Sequence, residues 1–237
     1  LASVVDKVSA VAGSDPDQLA ALAWPSSTTE ELYLLQRLMR EMGSHNVDHR
    51  LRQIDFNDQG ADPLYPSAPN MAELENIDAA LLIGAYPRHE QPLVNLRLRK
   101  AALKGAAVMS LDSCRHDYNY TVSAQKVVRP SAQLAAVATI VAVIAEAKGA
   151  TIAAPLDKVV AANKIDDAEL TEIAMQLVNG EQAVILCGAA VEQHPLRSAL
   201  LQLADTAAQL CGAQFGILAA GGNAAGAWLA GAVPRRG

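Results

Sequence analysis

The clearest hydrophobic pattern lies near the middle of the chain. Residues 79–83 form an uninterrupted apolar run that ends at Gly84, as expected of a strand that is buried on both faces. Pro92 then opens a segment with the apolar spacing of a helix, which has two lysines in its last turn and stops at Gly105. Residues 106–111 are a second apolar run. This order predicts a β-α-β crossover, and therefore two parallel strands.

A second unit of the same kind follows later in the chain. Residues 183–187 predict a strand, residues 196–210 a helix and residues 214–219 another strand. The stretch between the two units contains few prolines and predicts helices over residues 131–148 and 166–178. Alternation of strands and helices favours a parallel sheet that is covered by helices.

These patterns predict the fold class and a division of the chain. We expect an α/β protein with an open, mostly parallel sheet, or two such sheets in contact, with helices on both faces. The first α/β portion is predicted over residues 1–130, a helical connection over residues 131–180, and a second α/β portion over residues 181–237. The two portions are also compatible with one continuous domain.

The N-terminal part predicts a strand, a turn and a helix. Residues 19–24 are apolar and end at a proline. A capping box, Thr28 with Glu31 (or Ser27 with Glu30), marks a helix start. The apolar face of this helix is expected to consist of Leu32, Leu35, Leu38 and Met42. Residues 45–77 are irregular and rich in turn residues, which predicts a surface excursion.

Composition excludes several classes of protein. Half of the 237 residues are apolar (51%) and only 19% are charged, which disfavours disorder. A net charge of −6 disfavours a nucleic-acid-binding surface. Three cysteines are too few for a disulfide framework and are interpreted as thiols in a reducing compartment.

The first residues of the chain and its longest apolar run indicate how the protein relates to membranes and secretion. The chain starts at Leu1 rather than Met, and we interpret it as a piece of a longer protein. Residues 1–13 predict an amphipathic helix rather than a secretory signal. The apolar run over residues 134–145 is shorter than the roughly 20 residues of a membrane-spanning helix, so we expect a buried core helix and no direct membrane insertion.

Few residues predict chemistry. The phosphate-binding patterns G-x-G-x-x-G and G-x-x-x-x-G-K-[ST] do not occur. Gly84 and Gly188 follow predicted strands, where a glycine either lets a ligand approach the backbone closely or simply lets the chain turn. Cys114-Arg115-His116-Asp117 resembles a nucleophile with its base, but residues so close in sequence rarely face each other in the required geometry. We therefore expect no catalytic residues.

The remaining candidates favour structural interpretations. His45 and His49 with Asp48 lack a fourth metal ligand nearby, so no metal site is expected. A basic cluster of Arg97, Arg99 and Lys100 is typical of a solvated helix face, although it could also bind an acidic partner. Residues 223–234 are small and rich in glycine, which is typical either of a loop that faces a ligand or of a loop that packs beneath a further part of the protein.

Three stretches carry a resemblance to a known family. Residues 27–56 (STTEELYLLQRLMREMGSHNVDHRLRQIDF) resemble the start of the molybdopterin-oxidoreductase-like region in the large iron–sulfur subunit of bacterial NADH-quinone oxidoreductases, the enzymes of respiratory complex I. Residues 81–108 and residues 223–237 resemble later blocks of that region, in the same order.

The resemblance implies a fold and a role. The wider family folds as α/β domains around a bis-pterin molybdenum cofactor, and in the large iron–sulfur subunit the fold is retained without that cofactor. Electron transfer in that subunit runs through iron–sulfur clusters, which are expected upstream of this segment. The implied function is therefore a non-catalytic structural domain that contacts other subunits of the peripheral arm, on the cytoplasmic side of the plasma membrane, with no cofactor of its own.

One departure from the family pattern concerns the first glycine turn. Catalytic relatives commonly have Gly-x-Asn-Pro after the strand, and here Tyr86 stands in place of the asparagine. Gly84, Pro87 and Arg88 are accordingly the candidate rim of a vestigial pocket. Two alternatives stay open: a piece of an active molybdopterin oxidoreductase, such as a formate dehydrogenase, and a stand-alone nucleotide-binding α/β module.

Overall fold

The computed structural model describes residues 1–51, 55, 57 and 70–234, which form two compact units. The first unit contains described residues 1–51, 57 and 219–234, and the second contains residues 55 and 70–218. The middle of the irregular segment over residues 45–77 lies outside the described residues. The predicted division of the chain at residues 130 and 180 stays a prediction, but strands from both sides of it belong to one sheet.

The second unit is built on a parallel sheet of five strands in the order β5-β4-β3-β6-β7. The strands are β3 (Ala79–Ile83), β4 (Ala107–Asp112), β5 (Ala124–Val127), β6 (Ala183–Cys187) and β7 (Gln214–Ile217). The sheet grows outward in both directions from the pair β3 and β6, so the topological switch point lies between these two strands. The predicted α/β fold with a parallel sheet is confirmed.

Helices cover both faces of this sheet, because its central strands are apolar on both sides. Every residue of β3 and β6 is buried. Leu81 and Ile83 point toward one face, which packs against helices α5, α7 and α9, whereas Ala80 and Leu82 point toward the other, which packs against α4. The helices of this unit are α3 (Pro87–Glu90), α4 (Pro92–Leu103), α5 (Gln133–Lys148), α6 (Leu156–Asn163), α7 (Ala168–Asn179), α8 (Ala189–Glu192) and α9 (Arg197–Cys211).

The first unit has its own small core. It contains α1 (Ala2–Ser14), β1 (Ala21–Leu22), α2 (Thr29–Glu41), β2 (Val47–Asp48) and α10 (Ala224–Leu229), and β1 pairs in parallel with β2. The predicted capping box forms between Thr28 and Glu31, in both directions. The predicted apolar face is wrong at Leu38, which is 54% exposed, because the helix turns Met39 into the core instead.

Polar side chains join α2 and β2 to the last described residues within the first unit. Arg40 Nη2 donates to the carbonyl oxygens of Gly231 (2.8 Å) and Val233 (3.3 Å). His49, only 2% exposed, has Nδ1 3.0 Å from the carbonyl oxygen of Ala232. Burial lowers the pKa of His49, an effect that its bond to Ala232 partly opposes.

Several elements escaped the sequence patterns, among them β5 and α6. Strand β5 is short, lies at the sheet edge and contains Gln125 and Lys126, so it lacks an apolar run. Helix α6 follows Pro155 within the region predicted as a connection between helices. Strand β5 carries polar residues on both faces and α6 on one, so neither shows a continuous apolar run.

One helical stretch, Pro130–Lys148, is long and apolar enough to cross a membrane by length and composition alone. Half of it is buried within the second unit, where α5 packs against α6, α7 and α9. The core helix of a soluble domain has the same properties, and this packing agrees with the predicted buried core helix.

Replacing Gly188 by Ala should destabilise the second unit by about 1–3 kcal/mol, because the new methyl group overpacks the turn. An added Cβ at Gly188 would lie 2.5 Å from Ala85 Cβ and 2.6 Å from the Gly84 carbonyl oxygen. Urea unfolding followed by circular dichroism measures the change. The control is Gly13→Ala in α1, where an added Cβ meets nothing within 4 Å, and which should be neutral or slightly stabilising. Equal stabilities of Gly188→Ala and the unsubstituted chain would contradict this packing.

Acidification should destabilise the first unit through His49. The unfolded chain takes up a proton near the ordinary imidazole pKa of about 6.5, whereas burial keeps the folded side chain neutral to lower pH. The free energy of unfolding therefore falls as pH drops through about 6.5. Both tryptophans, Trp24 and Trp228, lie in this unit, so fluorescence-detected unfolding at several pH values reports on it.

The control for this pH dependence is His49→Gln, which should flatten the curve below neutral pH, whereas His45→Gln, at an exposed position, should not. An unchanged curve in His49→Gln would contradict the assignment.

Candidate functional site

The carboxyl edge of the five-stranded sheet is where a fold of this kind binds ligands. Strands β3 and β6 end there at Gly84 and Gly188, and β4 ends at Asp112. Gly188 N donates to the Ile83 carbonyl oxygen at 2.9 Å, which continues the parallel ladder by one bond. Beyond it, Ala190 N donates to the Gly84 carbonyl oxygen at 3.0 Å, and this bond closes the crevice between the turns after β3 and β6.

Both glycines are required by this close approach. Gly84 has a φ of +55°, and an added Cβ would lie 3.0 Å from Val191 Cγ2 and 3.0 Å from Ala190 Cβ. At Gly188 an added Cβ would meet Ala85 and the Gly84 carbonyl. Here the absence of side chains lets two turns pack against each other, and it leaves no gap for a ligand between them.

The other two residues predicted at the rim of a pocket are held by local contacts. Pro87 is buried at the first position of α3. Arg88 pairs with the Asp117 carboxylate and also donates to the Asp117 carbonyl oxygen at 3.0 Å. The Asn119 backbone N–H and the Arg88 guanidinium together lower the pKa of Asp117. Whether Gly84, Pro87 and Arg88 border a vestigial pocket stays a prediction.

The end of β4 brings together three groups that can bind a metal or act as acid and base. His116 Nε2 lies 3.1 Å from Asp112 Oδ2 and 3.5 Å from Cys114 Sγ. Cys114 and His116 therefore do contact each other, because the chain bends after β4. The prediction that they do not form a nucleophile and its base stays a prediction. Sequence reasoning also missed Asp112, although the spacing D-x-C-x-H directly after a strand was visible.

Aromatic rings fix this arrangement. The Tyr86 ring stacks on His116 with centroids 4.2 Å apart and an interplanar angle of 12°. Tyr118 meets His116 edge-on at 6.0 Å. The Tyr118 hydroxyl donates to the Ala85 carbonyl oxygen at 3.0 Å and lies 2.8 Å from Ser110 Oγ. Burial raises the pKa of Tyr118, so it is a neutral structural residue.

The other sequence candidates have structural partners. His49 binds the Ala232 carbonyl, and Asp48 pairs with Arg50 at 2.7 Å, whereas His45 is exposed. No group of metal ligands forms around these histidines among the described residues.

In the basic cluster, Arg97 and Lys100 both pair with Glu75, and Arg99 is exposed. This arrangement favours the solvated helix face over a site for an acidic partner.

Residues 223–234 pack against the start of α2 in the first unit. Asn223 Nδ2 donates to the Ser27 carbonyl oxygen at 2.8 Å and to Thr29 Oγ1 at 3.2 Å. An added Cβ at Gly226 would lie 2.6 Å from Thr29 Oγ1, so this glycine also serves close packing. The prediction of a loop is wrong over Ala224–Leu229, which form α10, and these contacts favour packing over a ligand-facing role. Residues 235–237 lie outside the described residues.

Comparison with known proteins decides the family. Residues 1–232 match the molybdopterin oxidoreductase family. The chain belongs to this family. The match covers nearly the whole sequence and includes both units of the structure, in agreement with the resemblance and the fold predicted from the sequence.

Individual relatives agree with the more specific resemblance. The chain is 32% identical over 113 residues to the G subunit of NADH-quinone oxidoreductase from Rickettsia conorii, which covers 46% of this chain and 16% of that protein. It is 27% identical over 124 residues to the corresponding protein of Rickettsia typhi, covering 52% of this chain and 18% of that protein. The chain thus spans less than a fifth of the length of these relatives.

A eukaryotic relative and a solved structure extend the comparison. The 78 kDa subunit of NADH-ubiquinone oxidoreductase from Candida albicans is 31% identical over 106 residues, covering 44% of this chain and 14% of that protein. A chain of the formyltransferase/hydrolase complex FhcABCD from Methylorubrum extorquens has the same fold, with a TM-score of 0.53 and 15% identity over 89% of this chain and 56% of that chain.

The molybdenum–pterin cofactor implied by the family does not fit the crevice between β3 and β6. A cofactor at the switch point needs open space beside backbone N–H groups. The N–H of Gly188 belongs to the β3–β6 ladder, the N–H of Ala190 is bonded to the Gly84 carbonyl oxygen, and α8 packs directly on Gly84.

Replacing Tyr118 by Phe should destabilise the second unit by about 1–3 kcal/mol, because the fully buried Ser110 hydroxyl and the Ala85 carbonyl both lose a partner. Denaturant unfolding of the variant provides the measurement. Tyr120→Phe is the matched control, since the Tyr120 hydroxyl has no hydrogen-bond partner in the described part of the chain. Its removal should be neutral or stabilising. Equal losses in the two variants would refute the role given to Tyr118.

Proposed function

We propose that this chain is a non-catalytic structural domain of the large iron–sulfur subunit of NADH-quinone oxidoreductase. The observation that carries the proposal is the closed crevice at the switch point. In an active oxidoreductase of this family the fold must leave room for its cofactor, whereas here Gly84 and Gly188 bring two turns into contact. The two Rickettsia relatives, both named as the G subunit of this enzyme, support the choice of parent protein.

The cysteines support a role without redox chemistry. Cys187 is fully buried in β6, and Cys211 is buried in α9. Burial raises the pKa of both thiols, which opposes the thiolate form that iron–sulfur ligation requires. The remaining Cys114 is exposed, in the loop after β4. The iron–sulfur clusters of NADH-to-quinone electron transfer, which the complex couples to proton translocation, would then be bound by other parts of the large subunit.

The surface suits a domain within a larger assembly. Helix α4 exposes three large apolar side chains, Leu93, Leu96 and Leu103, which are 67%, 43% and 72% exposed. Exposed apolar groups close together on one element are typical of contacts with another chain. The proposed partners are other subunits of the peripheral arm on the cytoplasmic side of the membrane. The net charge of −6 argues against nucleic acid as a partner.

Metal and pterin analysis of the purified full-length subunit that contains this chain tests the proposal. Cells are grown with molybdate, and an active molybdopterin oxidoreductase prepared in parallel serves as the positive control. We expect the control to contain molybdenum and pterin and the full-length subunit to contain neither, because the crevice has no room for them. Stoichiometric molybdenum and pterin in that protein would contradict the proposal and favour an active enzyme, such as a formate dehydrogenase.

The nucleotide-binding alternative is tested separately by thermal shift. Titration with NAD, NADP, ATP and GTP should leave the unfolding temperature unchanged. A nucleotide at a hundredfold excess over its Kd would add about 2.7 kcal/mol to the stability of the folded state, a shift that is readily detected.

A further inference from the structure

The three potential ligands at the end of β4 converge on one point. Asp112 offers a carboxylate oxygen, Cys114 a sulfur and His116 a ring nitrogen, and these atoms all lie within 4.8 Å of one another. Among the described residues they are the one group of three such side chains that meets this criterion. They come from three different residue types rather than from an acidic surface patch.

Two of the three distances between these atoms are close to those between the ligands of a tetrahedral zinc ion, and the third lies within 4.8 Å. With metal–ligand bonds of about 2.0–2.3 Å, neighbouring ligand atoms stand roughly 3.3–3.6 Å apart. The His116 Nε2 to Cys114 Sγ distance is 3.5 Å, and the His116 Nε2 to Asp112 Oδ2 distance is 3.1 Å. Only small shifts of these side chains are needed to admit the ion, and the sulfur is the freest of the three to move because Cys114 is exposed.

The surrounding contacts hold the ligands in place without using the atoms that would bind. Asp112 is 3% exposed, and its Oδ1 accepts from Ser113 N at 2.6 Å while Oδ2 faces His116. The imidazole is fixed by the Tyr86 stack and the edge of Tyr118. Gln125 Nε2 donates to the His116 carbonyl oxygen at 3.0 Å and so fixes the backbone of the loop. Such outer contacts are what orient ligands in metal sites.

The same geometry argues against a cysteine nucleophile activated by a His–Asp pair. In that arrangement the base uses one ring nitrogen for the nucleophile and the other for the carboxylate. Here His116 Nε2 is the nearer ring nitrogen to Cys114 Sγ and also the one that contacts Asp112. A cation that replaces the Nε2 proton can bind all three groups at once, and a thiolate with a carboxylate neutralises its two positive charges.

We propose that Asp112, Cys114 and His116 form a binding site for a divalent cation of borderline softness, with Zn²⁺ as the ion that this set of sulfur, nitrogen and oxygen atoms fits best. The fourth position faces solvent on the side of the exposed Cys114 and is completed by water. The site lies on β4, away from the closed crevice, and it does not depend on the proposed role in NADH-quinone oxidoreductase. The sequence prediction of no metal site is replaced by this one.

Zinc and cobalt titrations of the whole 237-residue chain test the site. The chain is first treated with a chelator and a reductant. Isothermal titration calorimetry should show one Zn²⁺ bound per chain, and binding should weaken as pH falls, because protons compete for the thiolate and the imidazole. Substituting Co²⁺ should give a sulfur-to-cobalt charge-transfer band and visible bands of tetrahedral intensity.

Single substitutions assign the ligands. Cys114→Ser should abolish the charge-transfer band, and Cys114→Ser, His116→Gln and Asp112→Asn should each weaken Zn²⁺ binding at least about tenfold, since even outer-shell partners of metal sites are worth that much. His89→Gln is the control, because His89 also stacks on Tyr86 but belongs to no ligand group within the described part of the chain. Circular dichroism establishes that each variant is folded.

Two results would overturn the proposal. The first is the absence of a sulfur-to-cobalt band in the folded, unsubstituted chain. The second is Zn²⁺ binding that is equally strong in Cys114→Ser and in the unsubstituted chain, which would place the ion elsewhere. Neither result bears on the molybdenum and pterin analysis of the full-length protein, so the two proposals fail independently.

Discussion

The contact between the turns after β3 and β6 is the constraint on which the second unit depends. These two strands are the centre of the sheet, and every other strand is added outward from them. Their turns meet so closely that Gly188 has no room for a side chain, and Gly84 needs a positive φ as well. The backbone N–H groups that a ligand could bind at this position donate instead to the carbonyl oxygens of Ile83 and Gly84. The position between these turns, where folds of this kind usually bind ligands, is therefore filled by packed protein atoms.

The turns after β3 and β6 fill the crevice, and the potential ligand groups at this edge of the sheet lie at the end of the next strand, β4. Strand β4 ends in Asp112, whose side chain turns toward the face covered by α4 and Tyr118. The loop that follows returns over the sheet, so Cys114 and His116 come to lie beside that carboxylate. The Tyr118 hydroxyl ties this loop both to β4, through Ser110, and to the β3 turn, through Ala85. The end of β4 thus holds a small polar cluster in a framework that these hydrogen bonds fix.

The fold was largely predictable from the sequence, because apolar runs decide it. Residues 79–83 and 183–187 could only be buried strands, and Gly105 and Gly149 ended helices where their patterns required. The edge strand β5 and the helix α6 were not predictable in this way, since β5 carries polar residues on both faces and α6 on one. Leu38 was misplaced because the leucines of α2 exceed what one helical face can bury, and only the packed structure shows that Met39 belongs to the core.

The candidate site was much less predictable. Because residues so close in sequence rarely face each other, Cys114 and His116 were not expected to form a site. The bend after β4 brings them together, and no periodicity encodes such a bend. Likewise, Gly84 and Gly188 could have served a ligand or a turn, and their use in backbone packing depends on contacts between segments about a hundred residues apart. Recognition of a family fold therefore did not indicate whether its cofactor position was open.

A high-resolution experimental structure of the full-length subunit, prepared from cells grown with molybdate, tests the central claim most directly. We expect Ala190 N to stay bonded to the Gly84 carbonyl oxygen, at the 3.0 Å seen here, with Ala190 and Val191 packed against Gly84 and no density between the turns. Separated turns with a pterin or its phosphates between them would contradict it.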